Sequence, residues 1–329
     1  MRVLFVTNMW PERNRRWYGN YIHSQAQSLI ARGLDLDVLV MRGYARRWEY
    51  VRGAGRVLLR NFTSQYDVIH AHYGYSGIVA RLDIRAPLVI SYCGDDLLGT
   101  PDPARPDRMT FGSRALAGAF AQAGRLARAT ITKSEEMGRR LPRTVHARNH
   151  VIPNGVDLES FAPSDQLAAR RRLGWPPEEK VALFVGNPRD PRKNYSLAEA
   201  AYTLALASCP RLVLRIAHGV DPGAIPLYMN AADTLVFSSR SEGSPNVVKE
   251  AMGCELPIVA TPVGDVPERL RGVAGCWVVR ADPEEFAVAI LNAVRHGPAP
   301  AGRAAVAELS MDRVAQRVEE IYRSVARDG

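Results

Sequence analysis

Two glutamates, Glu242 and Glu250, stand eight residues apart on either side of a segment that suits an anionic ligand. Ser244 is a good helix N-cap and Pro245 suits the first helical position, so a helix is predicted to begin here. The free N–H groups of a helix start favour a phosphate or a sugar oxygen, and Gly243 lets such a group approach the backbone. The carboxylate of Glu250 can accept both hydroxyls of a ribose, while Glu242 can reach a bound sugar. A capped surface helix with two solvated glutamates is the plainer alternative.

A second loop, residues 186–194, carries positive charge suited to the same chemistry. It begins at Gly186 after a predicted strand and contains Arg189 and Lys193. When the bond between a sugar and a nucleoside diphosphate breaks, negative charge develops on the diphosphate, and fixed cations lower that barrier. A basic turn on the surface is the alternative for this loop taken alone. Further candidate ligand contacts are Asn246, Val247 and His218.

In the first half of the chain, candidate polar groups also follow predicted strands. Residues 93–96 (Cys-Gly-Asp-Asp) offer paired carboxylates that can orient a sugar or act as a base, with Asp96 as the candidate catalytic group. A helix-capping turn is the alternative. Gly19 precedes a predicted helix, where it either lets a ligand approach the backbone or serves a turn. For His70 and His72 a structural role is favoured.

Short β-branched runs alternate with helical patterns along the chain, which is typical of an α/β fold with doubly wound parallel sheets. Such sheets bind ligands outside the carboxyl ends of their strands, where these loops lie. The predicted strands are Val3–Thr7, Leu36–Met41, Val68–His70, Leu88–Tyr92, Ala129–Thr132, Val145–Ile152, Val181–Val185, Leu212–Ala217, Thr234–Ser238, Pro257–Ala260 and Cys276–Val279. The predicted helices include Tyr21–Ala31, Ser113–Leu126, Glu135–Arg140, Ser196–Ala207, Ala224–Ala231, Asn246–Cys254, Glu284–His296 and Met311–Arg327.

The pattern divides into two Rossmann-like domains that would face each other across a cleft. Regular structure is interrupted at Pro153–Asp157, where Pro and Asn-Gly stand together. The first domain is expected over residues 1–153 and the second over 158–305, which opens with a linker that contains one short helix. Residues 311–327 place Val314, Val318, Ile321 and Val325 on one helical face.

Charge and composition narrow the possible partners. The net charge is +9, and residues 1–150 hold 23 of the 43 Lys and Arg but 12 of the 34 Asp and Glu. A basic first half favours a membrane surface, a phosphorylated acceptor or nucleic acid, and solvated arginines are an equal alternative. No apolar run approaches the roughly 20 residues of a membrane span, and the N-terminus lacks a signal-peptide layout, so a cytoplasmic location is expected.

Several motifs are missing from the sequence. It has no Walker loop and no GxGxxG after a strand, which disfavours NTP hydrolysis and hydride transfer. The four cysteines form no CxxC pair. Asp35 and Asp37 begin a predicted strand and are expected to be solvated, without a metal. The aromatic-plus-basic strand motifs of nucleic-acid readers are absent, so no nucleic-acid partner is expected.

Taken together, these motifs resemble the retaining glycosyltransferases of family four, which have the GT-B fold. Glu242 and Glu250 fit the Glu-x7-Glu motif of that family. The matching segments are 3–8, 19, 67–72, 151–157, 242–250, 251–254, 257–261 and 264–268. The form Ser-Pro-Asn-Val-Val-Lys-Glu at 244–250 is most similar to the branch that includes teichuronic-acid-type transferases.

The resemblance implies that the C-terminal domain binds a nucleotide sugar, that the N-terminal domain binds the acceptor, and that the last helix crosses back onto the N-terminal domain. It also implies retention of the anomeric configuration and no metal or other cofactor. Three departures stand out. Asn187 replaces the family's Arg, so Arg189 is expected to compensate; Cys93 replaces its His; and the segment between Ala217 and Ala224 is short.

The sequence thus predicts a glycosyltransferase of hexosyltransferase type that acts in polysaccharide biosynthesis on a glycan or lipid-linked acceptor. The protein is also predicted to make peripheral contact with an anionic inner membrane face. One alternative is a sugar-nucleotide epimerase of the same architecture, which would need no acceptor. The other is a non-catalytic protein that binds a nucleotide sugar or a nucleic acid.

Overall fold

The computed structural model describes residues 1–13, 15, 17–43, 46–102 and 105–327. Its strands are β1 (Arg2–Thr7), β2 (Asp35–Val40), β3 (Val68–His72), β4 (Leu88–Ser91), β5 (Pro101–Asp102), β6 (Arg105–Met109), β7 (Ala129–Thr132), β8 (Asn149–Val151), β9 (Lys180–Val185), β10 (Leu212–Ala217), β11 (Thr234–Phe237), β12 (Ile258–Ala260) and β13 (Cys276–Val278). Its α-helices are α1 (Asn20–Ala31), α2 (Glu49–Thr63), α3 (Gly74–Ala80), α4 (Asp95–Leu98), α5 (Phe111–Ala123), α6 (Glu135–Arg139), α7 (Arg143–His146), α8 (Gln166–Leu173), α9 (Tyr195–Leu206), α10 (Ile225–Ala231), α11 (Asn246–Gly253), α12 (Val266–Arg269), α13 (Pro283–His296), α14 (Pro300–Val306) and α15 (Met311–Arg327).

Two compact units share these elements. The first comprises Met1–Asp102, Arg108–Gly155 and the segment that begins at Met311, and the second is built on Val156–Ser310. Each unit holds one parallel sheet with helices packed against it, so the predicted α/β class with two parallel-sheet domains is confirmed.

The sheet of the first unit has the strand order β2-β1-β3-β4-β7-β8, and each neighbouring pair is parallel. Leu4, Val6, Ile69 and Ile90 are fully buried, as expected for strands covered on both faces. After β1 the chain goes to β2 on one side, and after β3 it goes to β4 on the other. The gap between the carboxyl ends of β1 and β3 is therefore the topological switch point, where such sheets bind ligands.

The second unit repeats this arrangement with the order β10-β9-β11-β12-β13, again parallel throughout. Phe184, Val236, Phe286 and Ile290 belong to its core. Its switch point lies between β9 and β11. The loops 186–194 and 238–245 leave from the carboxyl ends of these two strands, so the fold brings together the two segments that sequence reasoning had selected separately.

Three local expectations differ from the structure. The predicted strand Val145–Ile152 is wrong at its start, because Leu141 and Val145 are buried at helical spacing and α7 precedes the short β8. Helix α2 was not predicted. Asp37 is not simply solvated: its Oδ2 accepts from Arg2 Nη2 at 2.9 Å and from the Tyr66 hydroxyl at 2.8 Å.

Helix α15 is part of the first unit, where it packs on α1. Its buried face includes the four residues expected from the sequence, together with Tyr322. Arg32 of α1 donates to Glu319 at 2.8 Å and to Asp312 at 2.8 Å. The Tyr322 hydroxyl lies 2.5 Å from Nδ1 of His70, whose Nε2 lies 2.7 Å from Ser91 Oγ. Both ring nitrogens of this buried histidine are satisfied, and burial holds its pKa well below the usual value.

Replacing Tyr322 by Phe tests this contact. The ring would still fill its site, but His70 Nδ1 would lose its partner in a buried place, which costs about 1–3 kcal/mol of the free energy of unfolding. Tyr228→Phe is the matched control, since Tyr228 is half-buried and forms a ring contact with Trp175. Chemical denaturation of both variants measures the difference, and equal losses would contradict the assignment.

Among the described residues, no helix has both the length and the apolar character needed to cross a bilayer.

Candidate functional site

The two loops at the switch point of the second unit are joined by hydrogen bonds to backbone carbonyls. Ser238 follows β11, and its hydroxyl donates to the carbonyls of Lys193 at 2.9 Å and Asn194 at 3.1 Å. The Arg240 N–H donates to the Arg192 carbonyl at 2.8 Å. Gly186 starts the first loop with φ of 140°, a conformation that L side chains rarely adopt. The loop after β9 is thus held against the end of β11.

The central contact is an ion pair between Lys193 and Glu242, with Nζ 2.6 Å from Oε1. The Ser239 hydroxyl donates to the same oxygen at 3.3 Å, and the ammonium lies 5.9 Å from the centroid of the Phe237 ring. Both side chains are partly accessible, with 23% and 17% of their surface exposed. An ammonium has three donors, so Lys193 can hold Glu242 and still donate to a bound anion.

Helix α11 begins at Asn246, with Pro245 at the N-cap position. The expected cap, Ser244, is wrong: its hydroxyl donates to Asp265 Oδ2 at 2.8 Å and accepts from Lys249 Nζ at 3.2 Å. The serine is drawn away from the helix axis by these two charged partners. Because the proline side chain offers no acceptor, the first N–H groups of the helix are not capped by the N-cap residue. That leaves the kind of helix start that suits a phosphate.

Lys249 is a residue that sequence reasoning missed. Its side chain is buried, with 1% exposed, and it holds the loop before its own helix through Ser244. Arg269 Nε donates to Asp265 at 3.1 Å and completes the network. The one available signal was a lysine within the apolar run of α11, and lysines are so rarely buried that the pattern predicts a solvated side chain.

Gly264 fixes the position of the glycine-containing loop. It has φ of 57°, and a Cβ placed there would lie 2.4 Å from the Gly243 carbonyl oxygen and 2.6 Å from that of Glu242. The turn after β12 therefore touches the backbone that carries the catalytic candidate. Only glycine allows this approach.

Glu250 lies in the second turn of α11 and is half-buried. Burial raises the pKa of its carboxyl to about 7, although the charges of Lys249 and Lys193 act in the opposite direction. The charge of Lys193 thus acts on Glu250 as well as on its ion-pair partner Glu242.

The remaining candidates of this unit are placed as follows. Arg189 is exposed, and its backbone N–H donates to Asn187 Oδ1 at 3.0 Å; within the described residues its side chain joins neither Lys193 nor Glu242. His218 is exposed directly after β10. Asn246 and Val247 are half-buried at the start of α11. The structure brings Lys193, Glu242, Glu250 and the helix start together, and it leaves Arg189 and His218 at the edge.

In the first unit, Asp96 is buried after β4 and its carboxyl is occupied by the backbone. It accepts from the N–H groups of Gly94 at 2.9 Å, Cys93 at 3.0 Å and Gly74 at 3.2 Å. Burial, with the charge of Asp95 second, raises its pKa to about 7 in spite of these bonds. The contacts match the capping alternative: Asp96 joins the loops after β3 and β4.

Gly19 adopts a left-handed conformation with φ of 74° at the N-cap of α1. A Cβ there would lie 2.5 Å from the carbonyl carbon of Met9. Gly19 thus lets the start of α1 lie close against the loop after β1, which is the role of a turn glycine.

Three further groups at the carboxyl ends of the first sheet were not selected from the sequence. Lys133 directly follows β7, is 2% exposed and forms no hydrogen bond with the described residues; burial lowers its pKa, and Cys93 and Asp96 oppose this. His72 Nδ1 is buried without a partner among those residues. Tyr73 has φ of 82°, a strained conformation for a bulky residue that is concentrated at functional sites. The sequence showed only that each of them lies at or just after a strand end, and for His72 it favoured a structural role.

Replacing Gly264 by Ala tests the close packing of the site. Both G264A and the control G272A place a side chain at positive φ, which costs roughly 1–2 kcal/mol. Gly272 has open space around its Cβ position, whereas Gly264 does not. We expect G264A to lose a further 1–3 kcal/mol or so of the free energy of unfolding. Equal losses in denaturant titrations would show that the loop yields freely.

The raised pKa of Glu250 predicts a pH effect on stability. Its folded pKa of about 7 exceeds the ordinary value of 4.5, so the folded protein binds more protons and loses stability as pH rises between these values. E250Q removes this proton uptake. From pH 5 to pH 8 the variant should lose roughly 1–3 kcal/mol less than the wild type. The exposed Glu178 provides the control E178Q, and identical pH profiles for E250Q and wild type would refute the prediction.

Comparison with known proteins identifies the family. Residues 18–160 match the family described as Glycosyltransferase Family 4, and residues 179–296 match Glycosyl transferases group 1. D-inositol 3-phosphate glycosyltransferase of Mycobacterium avium is 30% identical, over 80% of this chain and 70% of its own length. The enzyme of that name from Geodermatophilus obscurus is 30% identical over 68% of this chain. The chain spans 58% of that relative's length. These names make the expected teichuronic-acid-type subgroup wrong.

Solved structures confirm the GT-B fold. Sucrose-phosphate synthase from Thermosynechococcus elongatus superposes with a TM-score of 0.81 at 18% identity, covering 100% of this chain and 99% of its own. Anabaena Alr3699/HepE in complex with UDP gives a TM-score of 0.73 at 18% identity, covering 98% and 100%. With this fold, with both halves matched and with the relatives above, the chain belongs to the family 4 (group 1) glycosyltransferases of GT-B fold.

Proposed function

We propose that this protein transfers a hexosyl group from a nucleoside diphosphate sugar to an acceptor hydroxyl, with retention of anomeric configuration. The observation that carries the proposal is the half-buried Lys193–Glu242 pair at the switch point of the second sheet, from which the loop leads into the start of α11. Family membership supports transfer over the epimerase and the non-catalytic alternatives.

The donor would use the charges that the second unit assembles. Its diphosphate would lie between the ammonium of Lys193 and the first N–H groups of α11, since both favour negative charge. Glu250, one turn along the helix, would accept hydrogen bonds from the ribose hydroxyls. Glu242 would accept them from hydroxyls of the transferred sugar. Anabaena Alr3699/HepE, which has a similar fold, was solved in complex with UDP. A UDP-sugar is therefore the first donor to test.

In the transfer itself, the bond between the anomeric carbon and the diphosphate oxygen breaks, and the acceptor oxygen bonds that carbon from the same face. The acceptor hydroxyl gives its proton to the departing phosphate oxygen. Lys193 stabilises the charge that grows on this leaving group, and Ser239 and Lys193 together hold Glu242 in place. We propose that Lys193 lets the reaction proceed without a metal or another cofactor.

The acceptor is proposed to bind at the carboxyl ends of the first sheet. Lys133 places a buried ammonium there, which supports an acceptor that carries an anionic group. The name of the relatives makes an inositol phosphate the first compound to test. A glycan or a phosphate-bearing lipid-linked acceptor presents the same chemistry. We propose a cytoplasmic location with peripheral contact to the inner membrane face, and the excess of Lys and Arg in residues 1–150 supports that contact.

A thermal-shift panel of UDP-, GDP-, ADP- and dTDP-sugars would identify the donor, because only a bound ligand raises the melting temperature. The stabilising donor is then incubated with inositol 3-phosphate, and the anomer of the product is read by NMR. Chelator added to a parallel reaction tests the metal-free proposal. A changed nucleotide sugar without acceptor would favour the epimerase instead.

The variants Lys193→Ala and Glu242→Ala should lower the transfer rate by about 100-fold to 1000-fold while the fold survives, because each removes a charge at the reacting centre. Lys180→Ala is the control: that lysine is exposed and pairs with Asp233 at 3.5 Å. Wild-type turnover in both site variants would end the assignment.

A further inference from the structure

Helix α2 presents an apolar face to solvent on the first unit. The face consists of Trp48, at the N-cap position, with Val51, Leu58, Leu59 and Phe62. Their exposed fractions are 45%, 75%, 43%, 62% and 74%. At 3.6 residues per turn these positions fall within an arc of about 100°, so they form one stripe along the helix.

The opposite side of the helix is fixed to the fold. Gly53, Val57 and Asn61 are buried four residues apart, and a Cβ on Gly53 would lie 2.3 Å from the Met41 sulfur. The helix therefore cannot rotate to hide its apolar stripe without losing this packing. The exposed stripe is a stable feature of the unit.

Positive charge borders the stripe. Arg46, Arg47, Arg52 and Arg56 are all exposed, and Arg52 stacks its guanidinium 4.7 Å from the centroid of the Trp48 ring. Within Glu49–Thr63 the sequence contains a single acidic residue, Glu49, whose carboxylate pairs with Arg52 at 3.1 Å. At the far end, the Arg85 guanidinium lies 5.7 Å from the centroid of the Phe62 ring, next to the exposed Ile84.

We propose that the α2 face docks on an anionic lipid bilayer, with the helix parallel to the surface; this inference rests on the membrane contact of the proposed function and assigns it to a surface. Trp, Phe and Leu side chains on one face with arginines at the border are the composition of interfacial helices, which bury the apolar face about 5–10 Å deep. The arginines are attracted to anionic headgroups. A second copy of the chain is a poorer occupant, because a two-fold contact would bring the arginine rows of two helices together.

The test is flotation of the full chain with vesicles of phosphatidylcholine alone and of phosphatidylcholine with 30% phosphatidylglycerol. The wild type should float with the anionic vesicles and be released as salt is raised. The double variant Leu59→Ser/Phe62→Ser should bind at least about tenfold more weakly, since two large side chains lose their transfer from water. Arg46→Gln/Arg47→Gln should weaken binding roughly tenfold and reduce its salt dependence.

Two matched controls make the result specific. Leu204→Ser/Val288→Ser changes exposed apolar residues of the second unit, and Arg171→Gln/Arg172→Gln changes exposed arginines of α8. Neither should alter flotation, and thermal melting verifies that all four proteins are folded. Absence of wild-type binding to anionic vesicles, equal losses in the controls, or concentration-dependent dimerisation abolished by the α2 variants would each overturn the proposal. No sugar donor or acceptor enters this experiment, so its outcome is independent of the proposed transfer.

Discussion

The candidate site depends on the way β11 is tied to the loop that leaves β9. Neighbouring parallel strands whose connections depart in opposite directions leave a gap at their carboxyl ends, and Ser238 bridges that gap by bonding two carbonyls of the other loop. This brings Lys193 and Glu242 to within 2.6 Å of each other. A lone ammonium in a half-buried place would be costly, and the carboxylate of Glu242 compensates it while two donors stay available for a ligand. The remaining parts of the site, the start of α11 and the turn at Gly264, are packed around this pair.

The same topology serves the two units differently. At the second switch point the charges are partly exposed and compensated, which suits an incoming polyanion. At the carboxyl ends of the first sheet, Asp96 and Lys133 are almost wholly buried, so their proton affinities shift toward neutrality from opposite directions. Asp96 is committed to backbone N–H groups, whereas the Lys133 ammonium is not. Within the described part of the chain, Lys133 is thus a buried cation without a hydrogen-bonded partner, although the charge of Asp96 acts on it.

Much of this fold could be predicted from the alternation of short apolar runs with helical patterns, because buried parallel strands such as β9 are runs rich in β-branched and aromatic residues. Glu242, Glu250 and Lys193 could be selected because glycine, proline and charge stand at fixed distances around them. Ser244 could not be assigned correctly: its preference for capping is real, but Asp265 and Lys249 compete for its hydroxyl, and only the folded chain brings them together. Helix α2 was missed because its largest apolar side chains lie on the exposed side, while Gly53 occupies the packed side, the reverse of the usual pattern. In each case the missing information was a tertiary partner.

Helix α15 gives the first unit a discontinuous path through the sequence. Its buried residues, from Val314 to Val325, cover α1 and reach His70 of β3, yet the whole of the second unit is synthesised before them. During translation the second unit can fold as soon as it leaves the ribosome, while the first must wait with an uncovered apolar groove. Bringing α15 back to α1 across so long an intervening segment is slow. It adds little entropy cost once that segment has itself folded into a compact unit. Cooperative unfolding of the first unit should accordingly begin with the release of this helix, and expression of residues 1–155 by themselves would yield a sheet without its cover.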